Sequence, residues 1–316
     1  MAVVAAVPRV EVQAAPRNLG DQVLRVVLRA AALTLVLLVL AMVVAMVHAS
    51  WPAMRAFGWR FLVSSTWDPV AEQFGALPFV YGTLLSSLLA LLIAVPLGIG
   101  AAIYLAELAP AWIRPPIAFL VELVAAVPSV IYGLWGIFVL APLLRVWVQP
   151  VLGKTLGFLP LFQGPPYGIG MLAAGIILAI MVVPYITAVS REVLLAVPNT
   201  QREAALALGI PQWKVLLRVV LPTARAGIIT GVMVAIARVA GETAPLLFTA
   251  FGNRFWHQGL DQPIAALPLQ VFAYAIAPYD DWHRQAWAGA LVLIGLVFIV
   301  SFAARIVTSG RFTGVR

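Results

Sequence analysis

Two side chains of opposite charge, Arg238 and Glu242, stand four positions apart in the otherwise apolar stretch 226–251. At that spacing they lie on one face of a helix and can pair. A charge at the centre of a membrane helix costs about 2.5–3.5 kcal/mol on insertion scales, so such residues are functional candidates. Because guanidinium is a planar, permanently charged donor, we interpret Arg238 as lining the path of an anion, with Glu242 and Thr243 beside it. A purely structural ion pair is the alternative.

The sequence lacks the residue sets that support enzymatic or metal chemistry. It has no cysteine, and its three histidines, His48, His257 and His283, are too scattered for a metal cluster. Residues 153–155 (Gly-Lys-Thr) end like a phosphate-binding P-loop, but that motif requires glycine where Val148 stands. We expect no catalytic residue, no metal site and no cofactor held by this chain.

The elements that position Arg238 must lie in a membrane, because 63% of the 316 residues are hydrophobic and only 10% are charged. Soluble domains have about 25% charged residues. Apolar stretches predict six membrane helices over about 28–49, 78–106, 116–146, 168–190, 226–251 and 286–308. A β-barrel is excluded, since its strands would be ~10 residues of alternating polarity. The predicted fold is an all-α integral membrane domain in contact with lipid.

The distribution of positive charge predicts the orientation of these helices. With the N-terminus in the cytoplasm, thirteen Lys and Arg residues fall in cytoplasmic segments and six in outside loops, as the positive-inside rule requires. We expect a cytoplasmic tail over 1–25, a six-helix domain over 26–310 and a cytoplasmic tail over 311–316. The first helix has a charged leader of nearly thirty residues, so we expect it to be retained rather than cleaved as a signal. The net charge of +8 is evidence about this topology and not about nucleic-acid binding.

The cytoplasmic loop 191–225 has the pattern of a helix, a turn and a second helix. Thr200 followed three residues later by Glu203 fits a capping box at the start of the first helix. Gly209 stands where that helix would end in the left-handed conformation. Pro211 suits the first position of the second helix, and we expect Pro222 to end it. The residues alone leave an ordinary amphipathic loop equally open.

The same loop resembles the EAA loop of ABC importer permeases, which follows the spacing E-A-A-x3-G-x9-I-x-L-P. The matching residues are Glu203, Ala204, Ala205, Gly209, Val219 (in place of isoleucine), Leu221 and Pro222. In that family the short helix is a coupling helix that docks on a separate ATP-hydrolysing subunit. The resemblance implies this role for Glu203, Ala204, Ala205 and Gly209.

A longer resemblance covers most of residues 67–250. Segments 67–87, 95–110, 122–142, 164–192 and 237–243 are similar to permeases of the phosphate-specific (Pst) branch, of the PstC type, whereas 241–253 is more similar to the sister PstA type. This implies a type I (MetI-like) permease fold in the bacterial inner membrane, and a role for Arg238 and Glu242 in phosphate passage. It also implies three partners, which are a second permease, a dimeric ATPase that holds ATP and Mg²⁺, and an extracytoplasmic phosphate-binding protein.

Two other functions stay open. The first is a permease for another oxyanion, such as sulfate, molybdate or phosphonate. The second is a secondary transporter that works alone, in which Arg238 and Glu242 would form an ion relay.

Overall fold

The computed structural model describes residues 19–68, 73–255 and 259–309. Within these ranges the protein is mainly helical, and six helices are long and apolar enough to cross a membrane. We number them as spans one to six: Leu19–Phe57, Leu77–Leu108, Ser129–Leu156, Met171–Leu195, Gln212–Gly241 and Asp280–Ile306. The predicted all-α architecture with six spans is confirmed.

The described part of the chain contains fourteen α-helices and one pair of short strands. The helices are α1 (Leu19–Phe57), α2 (Arg60–Val63), α3 (Leu77–Ile103), α4 (Arg114–Ala125), α5 (Ser129–Trp135), α6 (Ala141–Leu143), α7 (Gln149–Leu156), α8 (Met171–Leu195), α9 (Asn199–Ala207), α10 (Gln212–Val215), α11 (Leu221–Gly241), α12 (Ala244–Thr249), α13 (Leu267–Ala275) and α14 (Asp280–Ser309). Turns of π-helix occupy Tyr104–Leu108, Gly136–Leu140, Leu144–Val148 and Leu216–Val220, and a 3₁₀ turn occupies Pro160–Phe162. Strands β1 (Trp67–Asp68) and β2 (Gln73–Phe74) pair antiparallel, with Trp67 opposite Phe74 and Asp68 opposite Gln73.

The chain divides into two compact units, residues 1–48 and 49–316. The described part of the first unit is a stretch of α1, in which nearly all the large apolar side chains are exposed. Such a surface suits the hydrocarbon of a bilayer. The cytoplasmic tail that we predict over 1–25 overlaps α1 from Leu19 onward. Residues 1–18 and the predicted tail 311–316 lie outside the described residues.

The core of the second unit is the contact between α3 and α8, which pack along their lengths. Fully buried side chains of α8, among them Ile177, Met181 and Ile186, meet small residues of α3 such as Ala90 and Ala94. Small residues let membrane helices approach closely, which is how such helices gain packing energy without a hydrophobic driving force. The Thr187 hydroxyl also donates a hydrogen bond of 3.2 Å to the carbonyl of Gly98 across this contact.

We predict that Gly98→Ala destabilises this contact. A Cβ atom at Gly98 would lie 2.8 Å from the Cβ of Ile186, so the two helices must separate. Overpacking of this kind costs about 1–3 kcal/mol. The matched control is Gly100→Ala on the same helix, where a Cβ would meet nothing within 4 Å and the helix propensity of alanine should make the change neutral or stabilising. Thermal unfolding in detergent measures both, and equal midpoints would contradict the prediction.

Two predicted spans have the wrong bounds. The predicted helix 116–146 is broken, because α4 ends at Ala125 and a new helix begins at Ser129 after extended backbone at Pro128 (φ −57°, ψ 136°). Pro128 has no backbone N–H to continue the hydrogen bonds of α4 and disfavours helical geometry at the preceding Val127, which fits the break. The predicted helix 226–251 is also displaced, since span five begins at Gln212 and ends at Gly241.

The prediction that Pro222 ends the second loop helix is wrong as well. Span five continues through it, from Gln212 into α11. Pro222 stands in the first turn of α11, directly after the π turn Leu216–Val220. Proline lacks the backbone N–H, and the first turn of a helix is the place where that donor is not needed. Such π turns also occur frequently at functional sites of helices.

Candidate functional sites

Arg238 and Glu242 face each other at the end of α11, as the sequence predicts. Glu242 is no longer helical, because its backbone is extended (φ −73°, ψ 133°) and α11 ends at Gly241. The Nε atom of Arg238 lies 3.7 Å from Oε1 of Glu242, and 35% of the Arg238 side chain is exposed against 15% for Glu242. This separation is too long for a hydrogen bond. Within the described residues the buried Nε of Arg238 has no hydrogen-bond partner.

The Arg238 guanidinium rests on an aromatic ring that sequence analysis missed. Its Cζ atom lies 4.1 Å from the ring centroid of Tyr185, on α8, which is a favourable cation–π distance. The Tyr185 hydroxyl donates a hydrogen bond of 2.7 Å to the carbonyl of Ala125, at the end of α4. Tyr132, on α5, donates one of 2.7 Å to the neighbouring carbonyl of Val124. Two tyrosines from different helices therefore hold the end of α4 near the charged site.

Two interrupted helices meet in this region. One interruption separates α4 from α5, and the other separates α11 from α12 at Glu242 and Thr243. A Cβ atom at Gly133 of α5 would lie 2.7 Å from Cδ2 of Phe248 on α12, so α5 and α12 are in close contact. Non-helical backbone at membrane depth is tolerated where it is buried in protein or lines a cavity, and interrupted helices form substrate sites in transporters.

The arrangement around Arg238 can attract an anion and then release it. The Arg238 side chain is 35% exposed, and hydrogen bonds from guanidinium to oxyanions are charge-assisted. The nearby Glu242 carboxylate repels an anion and so limits how tightly it binds, which conduction requires. Thr243 lies half-buried in the interruption, and its side chain makes no capping hydrogen bond to α12.

A second candidate site is the short helix α9 and the turn that follows it. Glu203 and Ala204 are exposed, whereas Ala205 is 6% exposed and packs in a cluster with Val197 and Val215. Gly209 has a φ of +76°, so the predicted left-handed end of the helix is confirmed. The amide of Gly209 donates to the carbonyl of Leu206 at 2.9 Å.

The predicted capping box at the start of α9 is wrong. The N-cap residue is Pro198, with no side-chain cap hydrogen bond, and Thr200 lies inside the helix. Pro211 is likewise the N-cap of α10 and not its first helical residue. Proline fixes φ near the helical value without supplying a cap, so it can precede a helix whose first amides are satisfied in other ways.

The exposed surface around α9 includes four large apolar side chains among its polar ones. Its large exposed side chains are Leu206, Leu208, Trp213 and Leu217. An apolar patch beside exposed charged residues is typical of a protein–protein contact. The exposed, charged side chain of Glu203 lies next to this patch on α9.

Within the part of the chain that the structure describes, the remaining candidates for chemistry form no site. The Gly-Lys-Thr sequence at 153–155 lies inside α7, so no loop is available there to surround a phosphate. Within the described ranges no group of three or more His, Asp or Glu residues could hold a metal ion. His257 lies outside those ranges.

Comparison with known proteins gives close sequence relatives. Residues 94–312 match the family described as "Binding-protein-dependent transport system inner membrane component". The chain is 42% identical over 289 residues to the phosphate transport system permease protein PstC of Mesorhizobium japonicum, covering 90% of this chain and 87% of that one. It is 39% identical over 238 residues to the permease protein PstA of Xylella fastidiosa, covering 75% of this chain and 76% of that one. The similarity to PstC thus covers a larger share of this chain than the similarity to PstA does.

Solved structures support the fold. A bacterial ABC transporter that imports the acidic polysaccharide alginate has a chain similar to 92% of this one, with a TM-score of 0.57 and 15% identity. A chain of the MetNI methionine ABC transporter in an inward-facing conformation covers 77% of this one, with a TM-score of 0.51 and 19% identity. The chain therefore has the MetI-like permease fold that the sequence predicts.

Proposed function

Since the chain belongs to the family of binding-protein-dependent transport system inner membrane components, we propose that it is the PstC-type permease subunit of an ATP-driven importer of inorganic phosphate. The relatives named as phosphate permeases support the substrate. The observation that carries the proposal is Arg238, a partly exposed cation at the junction of two interrupted helices. Inorganic phosphate is an anion at neutral pH, and arginine binds phosphate oxygens through charge-assisted hydrogen bonds.

Three partners complete the proposed transporter. A second permease of the PstA type would form the other half of the pathway, and a dimeric ATPase would dock on α9 through Glu203, Ala204 and Gly209. The buried Ala205 packs inside the permease and would not be part of that contact. A phosphate-binding protein would dock outside, on the loops 49–77, 147–167 and 252–285. The exposed apolar surface around α9 supports the first contact with the ATPase. In this orientation both termini and α9 face the cytoplasm, as the positive-inside rule favours.

The proposed mechanism is alternating access. Closure of the ATPase dimer displaces α9, and the spans reorient so that the site at Arg238 opens to the cytoplasm. Phosphate released by the binding protein is attracted to the Arg238 guanidinium and is kept from binding too tightly by Glu242. The free energy of ATP hydrolysis reaches this chain only through α9, because ATP is bound and hydrolysed by the partner subunit in this mechanism.

Uptake by the reconstituted complex tests this function. The chain is placed in liposomes with a PstA-type permease, the ATPase and the binding protein, and uptake of labelled phosphate is measured with and without internal ATP. We expect uptake only with ATP, and no competition from excess sulfate, molybdate or phosphonate. Competition by one of these anions would indicate a different substrate. Uptake by the purified chain without the ATPase would overturn the proposal in favour of a secondary transporter.

A further inference from the structure

Arg202, the residue before Glu203, points back into the permease. One terminal nitrogen of its guanidinium lies 2.7 Å from Oε1 of Glu107, with only 16% of the arginine and 14% of the glutamate side chain exposed. The same nitrogen donates to the carbonyl of Leu194 at 2.8 Å. The other terminal nitrogen donates to the carbonyl of Val197 and to Oδ1 of Asn199, the latter at 3.1 Å. A single side chain of α9 therefore contacts three other segments.

These contacts join α9 to the ends of two membrane spans. Glu107 lies in the π turn Tyr104–Leu108 that ends span two. Leu194 lies in the last turn of α8, which is span four. Spans two and four are also the pair with the most extensive packing in the molecule. Arg202 thus connects the proposed docking helix to the rigid core of the second unit.

The connection from α9 to span five includes direct packing, because Ala205 lies in an apolar cluster with Val215 and Val220. It runs through Gly209, which has a φ of +76° and where a Cβ atom would meet nothing within 4 Å. Beside the Arg202–Glu107 pair lies a cavity of 390 Å³, lined by apolar side chains that include Leu206, Trp213 and Leu216. The ion pair lies at the edge of this cavity and adds a polar attachment of α9 to the apolar packing of Ala205.

We propose that the Arg202–Glu107 pair is a positioning element that makes α9 move as one body with spans two and four. This inference rests on the proposed function, because it assigns the pair to the delivery of motion from the ATPase. Tyr185, whose ring contacts the Arg238 guanidinium, lies on α8 nine residues before Leu194. This is about 13 Å along the helix axis. Displacement of α9 therefore reaches the anion site through α8 as well as through span five, which carries Arg238 itself.

A buried ion pair is a costly way to hold two elements together, since apolar residues of similar size are often as stabilising. Its advantage is defined geometry, which the fixed donor fork of arginine supplies and the flexible lysine side chain does not. An ion pair that serves only stability could be replaced by apolar residues without loss of transport. A pair that transmits motion should be sensitive to the loss of either partner even when the complex stays assembled.

The test measures phosphate transported per ATP hydrolysed in the reconstituted complex. Glu107→Gln keeps the shape of the side chain and removes its charge, and Arg202→Lys keeps the charge and removes the fork. We expect both variants to assemble with the ATPase and to hydrolyse ATP, while the transport ratio falls roughly 2- to 30-fold. The control is Glu192→Gln, which breaks the exposed Arg191–Glu192 pair, in which 69% of the glutamate side chain is exposed, and should leave the ratio unchanged. An unchanged ratio in both test variants, or failure of both to bind the ATPase, would overturn the inference.

A cross-link gives an independent measurement, because the chain has no cysteine of its own. The double variant Glu107→Cys, Arg202→Cys should have a low transport ratio, and a bismaleimide that joins the two thiols should restore it. If the cross-link instead abolishes transport, the two positions must separate during the cycle and the one-body inference is wrong. Failure of the proposed function itself would be distinguishable, since the unmodified complex would then take up phosphate without ATP.

Discussion

Arg238→Gln is expected to lower ATP-driven phosphate uptake roughly 10- to 150-fold, the range that loss of one hydrogen bond to a charged group produces. The guanidinium contributes a fixed positive charge on a partly exposed side chain. Glutamine keeps much of the length of the side chain and none of its charge. Labelled phosphate uptake, divided by the amount of complex in the membrane, measures the effect.

Two further variants separate transport from assembly at this site. Tyr185→Phe keeps the ring beneath Arg238 and removes only the hydrogen bond to Ala125, so uptake should fall far less than in Arg238→Gln. Arg238→Lys keeps the charge without the planar fork and should give an intermediate rate. If Arg238→Gln lowers the amount of complex as much as it lowers uptake, the pair with Glu242 is structural and the proposed anion path is wrong.

Glu203→Lys should abolish uptake, with a fall of roughly a hundredfold or more, since charge reversal at an interface costs several kcal/mol. Glu203 is exposed on α9, beside the apolar surface that we propose as the docking site. The protein itself should remain folded in the membrane, because the Glu203 side chain contributes no described ion pair. Copurification of the ATPase with the variant, quantified by mass spectrometry, measures the loss of ATPase binding directly.

The matched control for this prediction is Glu192→Lys. It makes the same charge reversal at an exposed glutamate on the end of α8, near α9 but outside it. Uptake and ATPase binding should stay close to those of the unmodified chain. Normal uptake by Glu203→Lys, or an equal loss in both variants, would remove the assignment of α9 as the docking helix.

Composition and charge were sufficient to predict the number of spans and the all-α fold, because a long uninterrupted apolar segment in a protein rarely forms anything but a membrane helix. The left-handed turn at Gly209 was also predictable, since helices commonly end at a glycine, which adopts the left-handed conformation without a steric penalty. The two interruptions at Pro128 and Glu242 were not, because membrane helices tolerate proline and charge when neighbouring segments satisfy them. Their positions depend on packing between α5 and α12, which a single sequence does not contain.

The site residues that sequence analysis missed act through contacts across the fold. Tyr185 lies in the charge-free stretch 155–190, and nothing in that stretch indicates a cation above its ring. Arg202 and Glu107 are 95 positions apart along the chain, and each also looks like an ordinary charge at the edge of a membrane. Pairs of this kind leave no periodic pattern, so only the three-dimensional structure brings them together.

The length of α1 has a consequence for the membranes that can hold this protein. A helix of 39 residues is about 58 Å long, nearly twice the hydrocarbon thickness of a typical bilayer. Its charge-free part, residues 30–47, is only about 27 Å long. The rest therefore extends into the headgroup layers. In a bilayer thicker than this stretch of about 27 Å, local thinning and snorkelling of flanking side chains meet the mismatch at a cost of fractions of a kcal/mol per Å. Thin bilayers should consequently hold α1 without drawing Arg29 or His48 into hydrocarbon, and thicker ones should hold it with the Arg29 side chain reaching back to the headgroups.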